Sequence, residues 1–376
     1  MKIRKVLAIL VLSGFILSGI FSDFIANDHP VIAEYKGKII LTPFHNNLII
    51  YELRPIIHPL IKYSHHYIDS GNMGAVSPFG KQVLKYNQQR HLLGTDIYGR
   101  DILAGLIHGS SIALLVGFGS MVLALILGML ISLIPSYLGD FGFKLSFSKA
   151  IVFTICLLYA FYILYYWKYI FIKFNLTDIL ALILGFLFLI KIVNYFAKKY
   201  KIIVPLDSFN TIFTSLFQSI PGNFIILILI NLFTPASILN IIIVIGILKW
   251  PVFSRYIRAE VLKIKEERFI ESSKVIGLGE SYIMIKHIIP QIISPLLVAF
   301  SYGFVSTVLL ESTLSFLGIG IPIDHISWGT ILGEARNDIS AWWLAVFPGL
   351  LISAVIISIN YLAGLLGKSI YSNQNY

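Results

Sequence analysis

Residues 258–290 read RAEVLKIKEERFIESSKVIGLGESYIMIKHIIP, a charged, helix-prone island between apolar runs too long for a soluble core. From Lys249 to Lys286 the chain carries eight Lys and Arg and five acidic residues. Membrane helices cannot expose so many charges to lipid, so most of these side chains must lie in water. The stretch 266–276, opening at Glu266, reads as a short helix with Phe269, Ser273 and Ile276 on one face at spacings of four and three. Gly277 and Gly279 suit its end, because glycine accepts the left-handed backbone of a C-cap. Ser281 is placed to cap the next helix, which Pro290 and Pro295 would kink as it enters the membrane. Two small central residues, Ser272 and Ser273, would let another surface approach the helix closely. Periodicity alone leaves two readings open, a docking helix and an ordinary solvated loop.

Outward from the island, composition sets the class. With 57% hydrophobic and 13% charged residues, the chain cannot cover itself with polar surface in water. Its net charge of +10 does not point to nucleic acid, because the basic residues sit between apolar runs instead of on one module. The single cysteine, Cys156, excludes a disulfide framework and a Cys-ligated metal site.

Eight segments are long and apolar enough to cross a bilayer, which takes about 20 residues each: 6–26, 112–137, 151–172, 177–196, 212–233, 237–253, 290–316 and 342–366. The first follows Lys2, Arg4 and Lys5 and lacks a small-x-small cleavage site, so it reads as a retained anchor. With both ends in the cytoplasm, 18 of the 29 Lys and Arg fall inside, Lys249 being counted among them. The resulting plan is an anchor over 1–26, an extracytoplasmic segment over 27–111 and a core span over 112–140. An inserted transmembrane hairpin follows over 141–205, then a core over 206–368 with a cytoplasmic loop at 254–290, and a polar tail over 369–376.

The loop resembles that of the integral-membrane permease subunits of binding-protein-dependent ABC importers, in their dipeptide/oligopeptide branch. That family has Glu-Ala-Ala, three residues, Gly, nine residues, then Ile-x-Leu-Pro. Here Glu271, Gly277 and Pro290 keep the register, Ser272 and Ser273 replace the alanines, and KHIIP (286–290) fits the branch. HLLGTDIYGRDILAGLIHG (91–109), LSFLGIGIP (314–322), SWGTIL (327–332) and AWWLAVFPGL (341–350) add to the likeness, which covers about 90–110, 112–140 and 206–368. Each motif alone is weak, and several in the right order are specific. The departure is at 141–205, where the six-span family core has no equivalent of the two apolar runs.

The resemblance implies an all-α polytopic transmembrane bundle of the ABC permease type, with about eight spans, six of them the family core, and a small extracytoplasmic segment. It implies a multi-pass protein of a bacterial cytoplasmic membrane that forms half of a pore for peptides. It further implies a second permease subunit, two ATP-binding subunits that use ATP and Mg, and an extracytoplasmic substrate-binding protein. The chain itself would hold no cofactor and catalyse no reaction. Glu266, Phe269, Glu271, Ser272, Ser273, Gly277 and Pro290 would then dock the ATPase.

Read from its residues, the segment 91–109 is a turn feeding a helix: Gly94 and Gly99 permit tight bends, and Asp96, Arg100 and Asp101 can form an ion-pair cluster there. A structural anchor and a contact for the binding protein both fit it. Glu311 is an acid deep in a span, to be read either as lining of the transport path or as a hydrogen-bonded brace at the subunit interface. GLLGKS (364–369) lacks the glycine spacing of a phosphate loop, so energy must come from another polypeptide. His58, His65 and His66 lack a completing carboxylate or thiolate and read as surface histidines. A nickel-complex importer of the same family is the nearest alternative; an ion-coupled secondary transporter would need more intramembrane acids than these spans offer.

Overall fold

The computed structural model describes residues 2–35, 38–42, 54–84, 89–141, 144–146, 191, 201–232, 237–322 and 324–373. Two compact units divide the chain, one of Met1–Leu130 with Phe217–Tyr376 and one of Ile131–Leu216. The architecture is all-α and polytopic. Among the described residues five helices are long and apolar enough to cross a membrane.

In the first unit these are α1 (Lys2–Ile20), the opening part of α3 (Ile102–Leu138), α6 (Ile238–Lys265), α9 (Ile289–Phe316) and α11 (Trp343–Asn373). Short α2 (Ser22–Ile25) follows α1, and α10 (Trp328–Ala335) links α9 to α11. Side-chain caps set two of the starts. The Ser237 hydroxyl accepts from the Asn240 amide at 3.1 Å ahead of α6, and Ser327 with Thr330 forms a reciprocal box ahead of α10.

α11 packs on α1, α9 and α10. Without a hydrophobic drive between helices in lipid, close approach depends on small residues at the crossings. A Cβ at Gly329 would collide with the Ser312 carbonyl of α9, and one at Gly109 would lie 2.6 Å from the Trp328 ring. Ile112 and Val116 of α3 meet Ile241 and Ile245 of α6 in one apolar cluster, with Leu310 of α9 packed against it. The start of α6 therefore lies beside the end of α9, and those two helices run antiparallel.

Between α2 and α3 sits a small lobe. Its sheet has the order β2–β1–β3, with β1 (Ile32–Tyr35) central and antiparallel to β2 (Lys38–Leu41) and β3 (Arg54–Ile57). A parallel bridge from Ala26 to Ile61 ties the end of the first span to the lobe.

Three expectations need correction. The span expected from 112 begins at Ile102, because the Asp101 carboxylate accepts from the Ala104 amide at 2.7 Å and starts the helix there. The apolar run 212–233 is divided between α4 (Leu206–Ser219) and α5 (Gly222–Leu232), since Pro221 has no N–H with which to continue α4. Lys249 is not part of the charged loop but lies mid-way along α6, which leaves seventeen Lys and Arg on the side taken as cytoplasmic.

The second unit holds the end of α3, the start of α4 and a two-stranded antiparallel ribbon. There β4 (Lys144–Ser146) pairs with β5 (Lys201–Ile203), Lys144 opposite Ile203. Asp140 accepts from the Ser208 amide and hydroxyl at 2.8 and 2.6 Å. The chain thus leaves at 146 and returns at 201 in the same place. The expected hairpin runs at 151–172 and 177–196 lie outside the described residues.

Candidate functional site

The charged loop begins as α6 ends. Glu266 is the C-cap of α6 and Glu267 the N-cap of α7 (Arg268–Val275), so the docking helix starts two residues after its expected opening. Its buried side is Ile270 with Ser273, not the expected trio. Phe269 is half-exposed at 37% and Ile276, already past the helix end, is 78% exposed. The Ser273 hydroxyl donates to the Phe269 carbonyl at 2.7 Å and Ser272 to the Arg268 carbonyl at 3.0 Å. Both serines thereby satisfy themselves within one turn; Ser272 offers a small, quiet surface, while Ser273 is buried.

Gly277, at φ +86°, ends α7 in a Schellman arrangement: the Gly277 amide donates to Lys274 and the Leu278 amide to Ser273. Gly279 does not share this role, having φ −64° as the N-cap of α8 (Glu280–Ile283), a place expected of Ser281. A π-helical turn, Met284–Ile288, joins α8 to α9, and Pro290 occupies the first turn of α9. The His287 ring lies 6.1 Å from Phe269 and 6.0 Å from Tyr282. Glu271, Val275, Ile276 and Ile285 all face outward, so this loop shows charge and apolar surface together.

At the far end of α9, about 42 Å away for 28 residues at 1.5 Å each, the lobe meets the bundle. Gly94 and Gly99 take φ of +80° and +86°. The Asp96 carboxylate accepts from the Tyr98 and Arg100 amides, both at 2.8 Å, and pairs with the Arg100 guanidinium. Arg100 also donates to Glu334 of α10 at 2.5 Å. Burial, and then the nearby Asp96 carboxylate, push Glu334 up to about 7.

Asp101 does not join that cluster. Besides starting α3 it bonds the His91 ring at 2.8 Å through Nδ1, while His91 Nε2 lies 3.4 Å from Asp69. Burial disfavours a charged His91, but the two carboxylates outweigh it and hold the imidazole above its ordinary range. Burial likewise opposes the Asp69 charge, yet bonds from Asn72, Gly71 and His91 hold that carboxyl below its usual value. Tyr63 stacks on His91 with ring centroids 4.3 Å apart. Two indoles clamp the junction: Trp343 Nε1 donates to the Thr95 carbonyl at 3.0 Å and Trp328 Nε1 to the Leu106 carbonyl at 2.9 Å.

Asp69 and Glu334 escaped the sequence reading, and His91 stood in the motif 91–109 without a role. The two tryptophans likewise stood in motifs already singled out, 327–332 and 341–350. His65 stacks on His66 and His108, and burial and those neighbours drive it down to about 3. Among the described residues no group of three His, Cys, Asp or Glu could hold a metal ion.

A cleft of about 610 Å³ opens beside the junction, lined by Tyr98, Arg100, Glu334 and Arg336 with apolar Phe316 and Ile321. Glu311 is closed off from solvent at 1% exposure; its oxygens accept from the Ser315 hydroxyl at 2.8 Å and the Ser312 hydroxyl at 3.3 Å.

Comparison with known proteins adds the following. Residues 195–371 match the family described as "Binding-protein-dependent transport system inner membrane component". A di/tripeptide transport system permease protein of Pseudomonas aeruginosa (strain UCBPP-PA14) is 28% identical over 278 residues, 74% of this chain and 70% of that one. A dipeptide transport system permease protein of Alkalihalophilus pseudofirmus is 26% identical over 271 residues, 72% of this chain and 68% of that one. A protein of Brucella suis biovar 1 (strain 1330), named for a peptide transport system permease, is 38% identical over 111 residues. That match covers 29% of this chain and only 38% of the relative's length.

Proposed function

Because residues 195–371 carry the inner-membrane component domain of binding-protein-dependent transport systems, we propose that this chain is one permease subunit of an ATP-driven importer of peptides. The single observation that carries this reading is the exposed loop between two membrane-spanning helices: a short helix with small central residues, closed by Gly277 at φ +86°. Such a surface suits docking on a soluble motor subunit. The names of the Pseudomonas and Alkalihalophilus relatives favour di- or tripeptides as cargo.

In this reading the loop lies in the cytoplasm on an ATP-binding subunit, which uses ATP and Mg²⁺. The lobe lies on the outer face, where Gly94, Asp96, Gly99, Arg100 and Asp101 support the surface that meets a substrate-binding protein. A second permease subunit completes the pore, and both chain ends face the cytoplasm of a bacterial cell. Glu311, bonded within its own helix, acts as a brace. An inserted pair of spans over 141–205, as expected from the two apolar runs, would leave the loop on its side.

Two measurements test the reading. Affinity purification from membranes, with mass spectrometry of what is retained, is expected to recover two ATP-binding proteins and a second permease. Recovery of the chain alone, together with peptide uptake that persists when ATP is depleted, would instead support a transporter that works by itself. Reporter fusions after Lys173 and Lys199 are expected to read outside and cytoplasmic respectively; two cytoplasmic signals would remove the hairpin.

A further inference from the structure

Lys249 stands at the twelfth of the 28 positions of α6, about 16 Å along the helix from its start at 1.5 Å per residue. Lys249 lies within the apolar run 237–253 of α6, inside the part of that helix that crosses the membrane. Its ammonium donates to the Ser306 hydroxyl of α9 at 3.1 Å. Among the described residues no carboxylate lies within 4 Å of it. An intramembrane lysine without a counter-ion costs about 3 kcal/mol against lipid at mid-span, and such residues face water or protein.

The surroundings fit the first. Lys249 and Ser306 line a notch of about 200 Å³ between α6 and α9, with Tyr256 and Tyr302 beside them. Those tyrosines are half-exposed, at 49% and 47%, so the notch opens sideways from the bundle. Met121, Val252, Phe253 and Ala299 complete the lining, so the ammonium and the hydroxyls stand among apolar walls, where lipid would tolerate the cation poorly and a wet passage would accept it. The notch is too small for a whole ligand, since drug-sized sites take about 300 Å³ or more. It has room for one carboxylate or amide group.

We infer that Lys249 is a site on the peptide path that receives the C-terminal carboxylate of cargo in transit, with Ser306, Tyr256 and Tyr302 bonding the adjoining backbone. Charge complementarity carries the choice of ligand, because a lone ammonium calls for an anion and every unmodified peptide brings one. Hydroxyls read backbone and ignore side chains, as a carrier of varied peptides requires. The inference rests on the peptide-importer reading above.

The test uses the whole transporter with its binding protein in proteoliposomes, given trialanine as the free acid or as the C-terminal amide. Lys249→Gln is expected to lower uptake of the acid about tenfold and leave the amide unchanged, and Lys249→Arg to restore the acid. The binding protein's own preference cancels, since it is the same in every variant. An equal loss of both peptides, or no loss, overturns the assignment, as does failure of Lys249→Gln to assemble with the second permease, which would make a partner carboxylate the counter-ion. A second readout needs no cargo preference. With Cys156→Ser, a thiol placed by Lys249→Cys is expected to react with a water-soluble anionic methanethiosulfonate, and more slowly when trialanine is present. Reaction with a lipid-soluble maleimide alone would place the position against lipid and overturn it. Absence of uptake of both peptides by the unaltered transporter is a separate result, which defeats the importer reading and this one with it.

Discussion

Arg100, at the foot of the lobe, donates at 2.5 Å to Glu334 on α10, a residue 234 positions further along the chain. The same guanidinium holds Asp96. One side chain thus fastens the lobe to itself and to the far end of the bundle, and it does so largely out of water, at 19% exposure.

The two partners are not equivalent under substitution. Arg100→Met leaves Glu334 without its guanidinium partner and Asp96 with only its two amide bonds, and is expected to cost about 3 kcal/mol, in the range for breaking buried pairs. Glu334→Leu leaves Arg100 still paired with Asp96 and is expected to cost about 1 kcal/mol. Because the folded protein raises Glu334 from 4.5 to about 7, it favours the protonated acid, and this group makes stability decline as pH rises between those values. Thermal unfolding of the purified protein in detergent checks both orderings: Glu334→Leu should flatten that decline.

His91 gives the opposite kind of test. Held above its ordinary 6.5 by Asp101 and Asp69, it lends stability that is complete below that value and is lost as pH rises through the folded one. Protection factors of the amides at 94–101, corrected for the base-catalysed intrinsic exchange rate, should therefore fall from slightly acid to alkaline buffer. In His91→Gln that dependence should vanish, with protection reduced at every pH. An unchanged dependence in the variant would assign it to another group.

Gly277→Val separates folding from coupling. Nothing lies within 4 Å of a Cβ there, so the only cost is the positive φ, about 1–2 kcal/mol for an L-residue. Insertion and abundance should stay near normal while ATP hydrolysis no longer drives uptake. Normal uptake at normal abundance would remove the docking role from this turn.

For Glu311 the hydroxyl bonds make the prediction. Glu311→Gln keeps an acceptor for Ser315 and is expected to transport nearly normally. Glu311→Leu strands two buried hydroxyls, at about 1–3 kcal/mol each, and should lose assembled complex on native gels. If Gln assembles but does not transport, the negative charge itself acts in the path.

The long helices were legible because hydropathy integrates over some twenty residues and lobe, loop and span differ strongly in it. The same averaging hid Pro221, which sits inside an apolar run yet ends one helix and starts another. It also merged Lys249 with the charges that follow, although α6 continues without a break to Lys265. Spacing placed Asp101 with Arg100. Its partner in the fold, His91, is ten residues back, brought round by the turn at Gly94 and Gly99. Glu334 had no local signal at all, since its meaning lies in a contact across most of the chain.

The π turn at Met284–Ile288 has a mechanical consequence. From Glu280 to Phe316 the backbone is one unbroken helical rod of 37 residues, with that wider turn near its loop end. A straight α-helix is stiff along its axis, whereas a π turn can shed or pass on its extra residue at modest cost. Rotation applied at Arg268–Val275 therefore meets a compliant joint before it meets the rod. Beyond the joint the rod passes Pro295 and ends under α10, where Gly329 leaves no slack against Ser312. A turn of the rod's far end would therefore press on α10 and, through Arg100 and Glu334, on the foot of the lobe.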